Sequence, residues 1–244
     1  MAERHSRPLR VIGSSRSHDA IKSVVDTLPV GRVLDVPAGT GVLAKWLHEQ
    51  GWAVQCADVD RGNFELGESF PFAELDLNRE LPFEDGQFDL VVCVNGLHRL
   101  FYAKGAIREF GRVLKPGGKL LVNMNNYWTI SSRIRAVLLG SVSHIFDQEY
   151  FEQELVVPES QVRIPYPLSQ IAGYVNDAGL QLNAVYPVDR RPRDVVAGIL
   201  GEPLRWVAML ASRKARFPNV VKWNADRAIF SGGAYFLAEI SKAE

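Results

Sequence analysis

Apolar residues alternate between two spacings along this chain, and the alternation predicts strands separated by helices. Short, nearly continuous apolar runs are typical of parallel strands covered on both faces, and they occupy residues 33–36, 53–57, 88–94 and 119–124. Other segments place apolar residues three and four positions apart, which predicts amphipathic helices at residues 17–28, 43–47, 103–114 and 167–178. Ser17 or Asp19 is expected to cap the first of these helices and Ser169 the last. Strands that alternate with helices are typical of an α/β fold with a mostly parallel sheet.

The stretch 33–47 combines a strand, a tight loop and a helix start. Its loop reads Pro37-Ala38-Gly39-Thr40-Gly41. Glycine lets the backbone approach a ligand closely, and the first turn of a helix presents unpaired N–H groups and a partial positive charge. The loop is therefore a candidate site for the nucleotide or carboxylate part of a cofactor.

An acidic residue, Asp58, ends the next predicted strand, 17 residues after Gly41. In a βαβ unit, a carboxylate at the tip of the second strand is placed to accept hydrogen bonds from the ribose hydroxyls of an adenosine cofactor. The spacing Gly39-x-Gly41-x-x-Ala44 also fits a relaxed dinucleotide fingerprint, so an NAD(P)-binding oxidoreductase is the first alternative. Against it, Asp35 would repel a pyrophosphate, Pro37 precedes the glycines, and the chain contains no Tyr-x-x-x-Lys pair.

With these motifs the chain resembles the class I S-adenosylmethionine-dependent methyltransferases, in particular their small bacterial O-methyltransferase-like branch. The resemblance covers residues 32–125 closely. It rests on the acid-and-glycine motif 35–41, on Asp58, on Leu75-Asp76-Leu77, on the run 81–91 and on the segment 109–118 before another strand. Pro37 departs from the family's first glycine and lacks its amide N–H, although its carbonyl remains available.

The resemblance implies a Rossmann-like three-layer sandwich with a seven-stranded, mostly parallel sheet and an antiparallel last strand. It also implies S-adenosyl-L-methionine as the cofactor. The residues that would hold it are Asp35, Pro37, Ala38, Gly39, Gly41, Asp58, Val59, Asp76, Leu77 and Asn95. Within this set, Asp76 would accept from the adenine amine and the Leu77 amide would meet the adenine ring. The structural alternative for Asp76 is to cap the turn that follows it.

His98 is the first candidate for a catalytic base. It follows Asn95 at the carboxyl end of the apolar strand 88–94, where ligands bind in open α/β sheets, and imidazole titrates near neutral pH. Its alternative is an architectural role. His144 is a second, weaker candidate, and His18 is interpreted as a surface residue at the start of a helix that leans over the cofactor pocket or only packs on the sheet edge.

Two segments depart from the family outline and are interpreted as insertions within a single domain over residues 1–244. An arm and helix occupy residues 1–31, the cofactor-binding core occupies 32–125, and an acceptor-side insertion occupies 126–166. In the latter, residues 126–140 resemble bacterial methyltransferases that act on glycans or related secondary metabolites. The segment 187–233 lies before the last strand and predicts two helices split by Pro203. An amphipathic basic element can contact a membrane surface or an anionic acceptor, but a lid or subunit interface is the more common role and the favoured interpretation.

Composition sets the remaining expectations. The chain has 244 residues with 28 basic and 28 acidic side chains, so overall charge does not indicate a nucleic-acid partner. Cys56 and Cys93 lie in predicted buried strands, are expected to be free thiols and fit no zinc spacing, so no metal is expected. With no apolar signal core and no run of 18 apolar residues, a cytoplasmic protein without a transmembrane segment is expected, with a homodimer as an open alternative.

The sequence therefore predicts an S-adenosylmethionine-dependent methyltransferase. The expected reaction moves a methyl group by in-line transfer to an oxygen, or less favourably a nitrogen, of a small molecule or glycan. Besides the oxidoreductase, a non-catalytic protein that binds the same cofactor remains an alternative, because one fold hosts many activities.

Overall fold

Seven strands form one mixed sheet at the centre of the protein. A computed structural model describes residues 9, 15–140, 164–212 and 222–243. The strand order across the sheet is β3-β2-β1-β4-β5-β7-β6, and only β7 runs antiparallel to its neighbours β5 and β6. The strands are β1 (Arg32–Asp35), β2 (Ala53–Asp58), β3 (Phe72–Glu74), β4 (Phe88–Val94), β5 (Leu114–Asn125), β6 (Leu180–Val188) and β7 (Tyr235–Lys242). The predicted Rossmann-like sheet with an antiparallel last strand is confirmed.

Helices cover both faces of this sheet. They are α1 (Ser15–Val25), α2 (Val42–Glu49), α3 (Ala103–Val113), α4 (Ile130–Leu139), α5 (Leu168–Asp177), α6 (Pro192–Ser212) and α7 (Arg227–Phe230). Successive strand residues point to opposite faces, so β1 places Val33 in one apolar cluster and Leu34 in the other. The first cluster packs α1 and α2 on the sheet, and the second packs α3 and α5 on its other face. The result is the three-layer sandwich that the sequence predicts.

The connection between β2 and β3 contains no α-helix. Two 3₁₀ turns, Arg61–Asn63 and Gly67–Ser69, take its place, in agreement with the short, glycine-interrupted sequence. The Asp60 side chain caps the first turn by accepting a hydrogen bond from the Gly62 N–H at 2.8 Å. Turns, in place of an α-helix, therefore connect these two neighbouring strands.

Two helix starts differ from the predicted capping. Helix α1 begins at Ser15, so Ser17 lies inside the helix, fully buried, and neither it nor Asp19 is a cap. Helix α5 begins after Pro167, which has no side-chain cap, and Ser169 lies in its first turn. In both cases a serine or aspartate near the helix start was interpreted as a cap, although the backbone enters the helix earlier.

The connection between β6 and β7 also differs from the prediction. Residues Pro192–Ser212 form one helix that runs through Pro203, where two helices were predicted. Proline lacks an N–H and so leaves the carbonyl of Ile199 without its helical partner. Because Ile199 is 66% exposed, water can reach that turn of the helix. Among the described residues, no helix is long and apolar enough to cross a membrane.

Candidate functional site

A cavity of about 440 Å³ opens at the carboxyl ends of β1, β2 and β4. The chain leaves β1 towards β2 on one side and reaches β4 on the other, which is the switch point where open α/β sheets bind ligands. Nine of the ten predicted cofactor-binding residues line it: Asp35, Pro37, Ala38, Gly39, Asp58, Val59, Asp76, Leu77 and Asn95. The structure thus brings together side chains from four separate segments of the chain.

Gly41 is the predicted residue that does not line the cavity. Its φ angle of +89° lies in the left-handed region, which only glycine adopts readily. A Cβ there would lie 2.7 Å from Leu66 Cδ1 and 2.9 Å from Phe64 Cε2. Gly41 therefore shapes the loop and lets the 3₁₀ turns pack against the start of α2, but it is not among the cavity-lining residues.

Asp35 is the most strongly perturbed acid of the site. It is 1% exposed, and its Oδ2 atom has no hydrogen-bond partner among the described residues. Burial, assisted by the negative charge of Asp58, raises the pKa of Asp35 to about 8, although a hydrogen bond from the Ala44 amide at the start of α2 acts in the opposite direction. An acid in this state favours a cationic group beside it, because such a group would stabilise its ionised form.

Asp58 fixes the loop against the tip of β2. Its Oδ2 accepts from the Gly39 N–H at 2.8 Å and its Oδ1 accepts from the Val59 N–H at 2.8 Å. The Ala38 N–H donates to the Ala57 carbonyl at 2.8 Å, so these loop amides bond within the protein. A carboxylate has about four acceptor positions, so Asp58 can still accept hydrogen bonds from a ligand.

Asp76 caps the turn that follows it, which was the structural alternative to a ligand contact. Its Oδ1 accepts from the backbone N–H of Asn78 at 2.8 Å and from the Asn78 side-chain amide at 3.0 Å, which makes it the cap of the turn after β3. Arg79 Nε lies 3.7 Å from its Oδ2. Asp76 and Leu77 both line the cavity, so the capping role leaves their predicted contacts with a ligand open.

Asn95 ends β4 in an unusual conformation. Its φ angle is +53°, and its backbone N–H donates to the Asn123 carbonyl at 3.0 Å. The buried Oδ1 atom has no hydrogen-bond partner among the described residues. A non-glycine residue held in the left-handed region, with an unpaired buried oxygen, is a feature of ligand sites because both cost free energy in the unliganded protein.

The positions of His18 and His98 relative to the cavity are the reverse of those expected. His98 lies in the 3₁₀ turn Leu97–Arg99 and is 2% exposed, but it is not among the cavity-lining residues, whereas its neighbour Arg99 is. His18 on α1 lines the cavity, which supports the arrangement with α1 over the pocket. Burial, followed by the charge of Lys22, lowers the pKa of His18. His144 lies outside the described residues.

Sequence reasoning missed several lining residues. Most of them lie within two residues of predicted ones: Thr40, Val42, Leu43, Asp60, Asn78, Val94, Gly96, Arg99 and Leu100. His18 had a readable signal, because it precedes the buried Ile21 and Val25 by three and seven residues and so shares their inward helical face. Just after β5, Trp128 packs against the core and donates from its indole to the Pro165 carbonyl at 3.0 Å.

Comparison with known proteins agrees with this geometry. Residues 34–122 match a family model described as a methyltransferase domain. A demethylmenaquinone methyltransferase from Corynebacterium urealyticum is 39% identical over 100 residues, which are 40% of this chain and 43% of that protein. A ubiquinone/menaquinone biosynthesis C-methyltransferase (UbiE) from Laribacter hongkongensis is 36% identical over 119 residues, which cover 44% of this chain and 48% of that protein. The chain thus matches less than half the length of these relatives.

The whole fold is also shared with a solved methyltransferase structure. An S-adenosylmethionine-dependent methyltransferase from Mesorhizobium loti superposes with a TM-score of 0.59 and 14% identity, over 94% of this chain and 99% of that chain. Residues 34–122 thus match a methyltransferase domain, and the whole chain shares its fold with this methyltransferase. The solved structure is of an S-adenosylmethionine-dependent enzyme, and this is the cofactor that the sequence predicts for the present chain.

Proposed function

We propose that this protein transfers a methyl group from S-adenosylmethionine to a small-molecule or glycan acceptor. The observation that carries the proposal is the cavity at the switch point, where Asp35 and Asn95 each hold a buried oxygen without a partner among the described residues. Such oxygens favour a ligand that brings hydrogen-bond donors and positive charge. Its volume of about 440 Å³ is within the range of small-molecule and cofactor sites, ~300–1,000 Å³.

The chain's own residues divide into two groups around this ligand. Asp58, Val59, Asp76 and Leu77, at the tips of β2 and β3, would hold the adenosine part. Asp35, Asn95 and the Pro37 carbonyl would hold the cationic amino-acid part, because Asp35 lies in a setting where its ionised form needs a cation. The site residues fit the cofactor in charge as well as in size.

Methyl transfer is an in-line displacement that depends on a close and aligned nucleophile. S-adenosylmethionine supplies an electrophilic methyl group on a sulfonium. When a hydroxyl of the acceptor forms the new C–O bond, its proton must leave to a base. His98 is proposed as that base, as predicted from the sequence; the cavity-lining His18, whose lowered pKa keeps the imidazole neutral at pH 7, is the matched comparison.

An oxygen acceptor on a small molecule or glycan is the first proposal, because the segment after β5 resembles methyltransferases of that kind. A carbon acceptor on a quinone precursor is the second, because the relatives named above act on demethylmenaquinone or in ubiquinone and menaquinone biosynthesis, and one is named a C-methyltransferase. The similarity to those relatives covers about 40% of the chain, so it bears mainly on the cofactor half.

Isothermal titration with S-adenosylhomocysteine, run beside NAD and NADPH, tests the cofactor. We expect micromolar affinity for S-adenosylhomocysteine and none for the nicotinamide cofactors. Asp58→Asn keeps one acceptor oxygen but removes the charge, and we expect it to weaken binding roughly tenfold or more. Asp177→Asn, a surface carboxylate paired with Lys104, is the control and should bind as the wild type does. Preference for NAD or NADPH would overturn the proposal.

Turnover with S-adenosylmethionine carrying a ¹³C-methyl group tests the acceptor. Catechols, glycans and naphthoquinols are offered, and the carbon chemical shift of the product distinguishes a methyl ether from a C-methyl group. In the same assay, His98→Asn and His18→Asn are compared at several pH values. A loss of kcat with intact S-adenosylhomocysteine binding in His98→Asn alone would support His98 as the base, whereas tight binding without turnover on any acceptor would favour a non-catalytic cofactor-binding protein.

A further inference from the structure

The neighbouring helices α4 and α6 both carry large apolar side chains on their outer sides. Helix α4 packs against α6, and each exposes large aliphatic or aromatic side chains to solvent. On α4, Val137 is 85% exposed, and on α6, Leu200 is 75% exposed. The α4–α6 surface consists of Ile134, Val137, Leu138, Val195, Val196, Ile199, Leu200, Leu204, Trp206, Val207, Met209 and Leu210. A set of this size on neighbouring helices marks an interaction site, whereas scattered apolar side chains are ordinary.

Two glycines fix which side of α6 faces the protein. A Cβ on Gly201 would lie 2.9 Å from Phe230 Cε1 and 3.2 Å from Ile130 Cγ1, and a Cβ on Gly198 would meet Ser231. No larger side chain fits at these two positions, so a rotation that brought aliphatic residues into them would cause a clash. The outward position of the apolar stripe is therefore built into the packing.

Charged residues of α6 also lie on the inner side. Glu202 accepts from Arg205 Nε at 2.9 Å and from Arg227 Nε at 3.1 Å, which ties α6 to α7. Arg205 is only 7% exposed. The helix thus has the reverse of the usual surface pattern, with its ion pairs inside and its apolar side chains outside.

Exposed arginines lie on both helices or at their start. Arg190, Arg191 and Arg193 are exposed at the start of α6, and Arg135 is exposed on α4. An apolar helix face with tryptophan and with arginine around it is the chemistry that binds an anionic lipid surface.

We propose that the α4–α6 surface docks this protein on an anionic lipid bilayer, with both helices lying in the plane of the interface. Charge complementarity favours lipid over a second copy of the chain, because a symmetric dimer would place like charges against each other. Helices α4 and α6 follow the carboxyl ends of the parallel strands β5 and β6, so the bilayer would meet the same edge of the sheet as the cavity. Docking itself does not depend on the proposed methyl transfer.

Sedimentation of the full chain with vesicles tests the proposal. We expect the protein to pellet with phosphatidylcholine–phosphatidylglycerol vesicles and far less with phosphatidylcholine alone, and high salt should weaken the binding. The double variant Leu200→Gln/Val207→Gln should bind roughly tenfold more weakly, because two apolar side chains no longer enter the interface. The tryptophan emission should shift to the blue on binding in the wild type, and this shift should be smaller in Trp206→Phe.

The matched control is Val30→Gln, which changes a side chain 59% exposed outside this surface and should pellet as the wild type does. Far-ultraviolet circular dichroism confirms that each variant is folded. Absence of pelleting with anionic vesicles, or equal losses in the control and the double variant, would overturn the proposal. A dimer that the double variant dissociates, without vesicle binding by the wild type, would assign the surface to a second copy and would also overturn it.

Discussion

Asp35 shows how a single residue can lower stability and serve a site. Its carboxyl is buried, has one oxygen without a partner among the described residues, and lies close enough to Asp58 to interact with its charge. In a protein selected only for stability, an apolar or amide side chain would suit this position better. Strongly perturbed acids in a cleft are instead characteristic of functional sites.

Asp35→Asn should therefore separate stability from cofactor binding. The pKa of Asp35 is about 8 in the folded protein against 3.8 for the free group, so its stabilising contribution is fully present below about pH 4 and is lost as the pH rises to about 8. Urea unfolding of the unliganded variant should show that its advantage over the wild type grows by roughly 2–4 kcal/mol between about pH 5 and pH 8. S-adenosylhomocysteine should bind the variant more weakly.

Asp89→Asn is the control for the Asp35 variant. Burial opposes ionisation of Asp89, but hydrogen bonds from the Lys115 side chain and the Arg32 amide prevail and lower its pKa. Its contribution is therefore constant over the same pH range, so the difference between Asp89→Asn and the wild type should not change there. A constant difference for Asp35→Asn would contradict a raised pKa.

At the scale of elements, the start of α2 depends on a left-handed backbone conformation, and the glycine at this point of the loop sequence predicts it. Gly41 is the N-cap of α2, in the left-handed region and without a side-chain cap. The alternate glycines were interpreted from the sequence as a ligand loop, and Gly39 does line the cavity. For Gly41 the reason is steric, because Phe64 and Leu66 occupy the space of a Cβ.

Gly41→Ala should be more destabilising than a substitution that introduces only backbone strain. Gly51 has a φ of +92°, close to the +89° of Gly41, but a Cβ there would find only Val30 Cγ1 at 3.7 Å. We expect Gly51→Ala to cost about 1 kcal/mol and Gly41→Ala about 2–4 kcal/mol, because overpacking adds to the strain. Chemical denaturation measures both, and equal losses would show that packing against the 3₁₀ turns is unimportant.

At the scale of the whole molecule, the sheet separates two apolar layers that each contain one cysteine. Cys56 on β2 belongs to the layer of α1 and α2, and Cys93 on β4 belongs to the layer of α3 and α5. Burial raises the pKa of both thiols, to about 12 for Cys93. A reagent that needs the thiolate can therefore reach either one only when its layer opens.

Labelling of the two thiols should report whether the layers open together. In the native protein we expect neither cysteine to react with a disulfide reagent on the scale of minutes, and both to react at once in denaturant. Mass spectrometry of Cys56→Ala and Cys93→Ala, followed in mild urea, should give equal rates if the sheet unfolds as one cooperative unit. Fast reaction of Cys56 alone would show that the α1–α2 layer opens separately.

The sequence by itself determined most of the elements and the loop that lines the cavity, because both depend on local patterns. The apolar runs 33–36 and 88–94 predict strands, whichever helices pack on them in the folded protein. Nine of the ten residues predicted from the acid-and-glycine motif, Asp58 and the later motifs line one cavity. The reason is that parallel strands bring their carboxyl ends to one edge of the sheet.

Only the tertiary structure decided which side of a helix or turn faces the cavity, the protein interior or solvent. His98 and Arg99 are adjacent in sequence, yet Arg99 lines the cavity and His98 does not, because a short 3₁₀ turn points its residues in different directions. Helix α6 has an apolar stripe that a sequence reading would bury, and Pro203 suggested two helices. Packing of Gly198 and Gly201 against α7 and its flanking residues turned that stripe outwards, since contacts distant in sequence fix a helix's rotation and its periodicity alone does not.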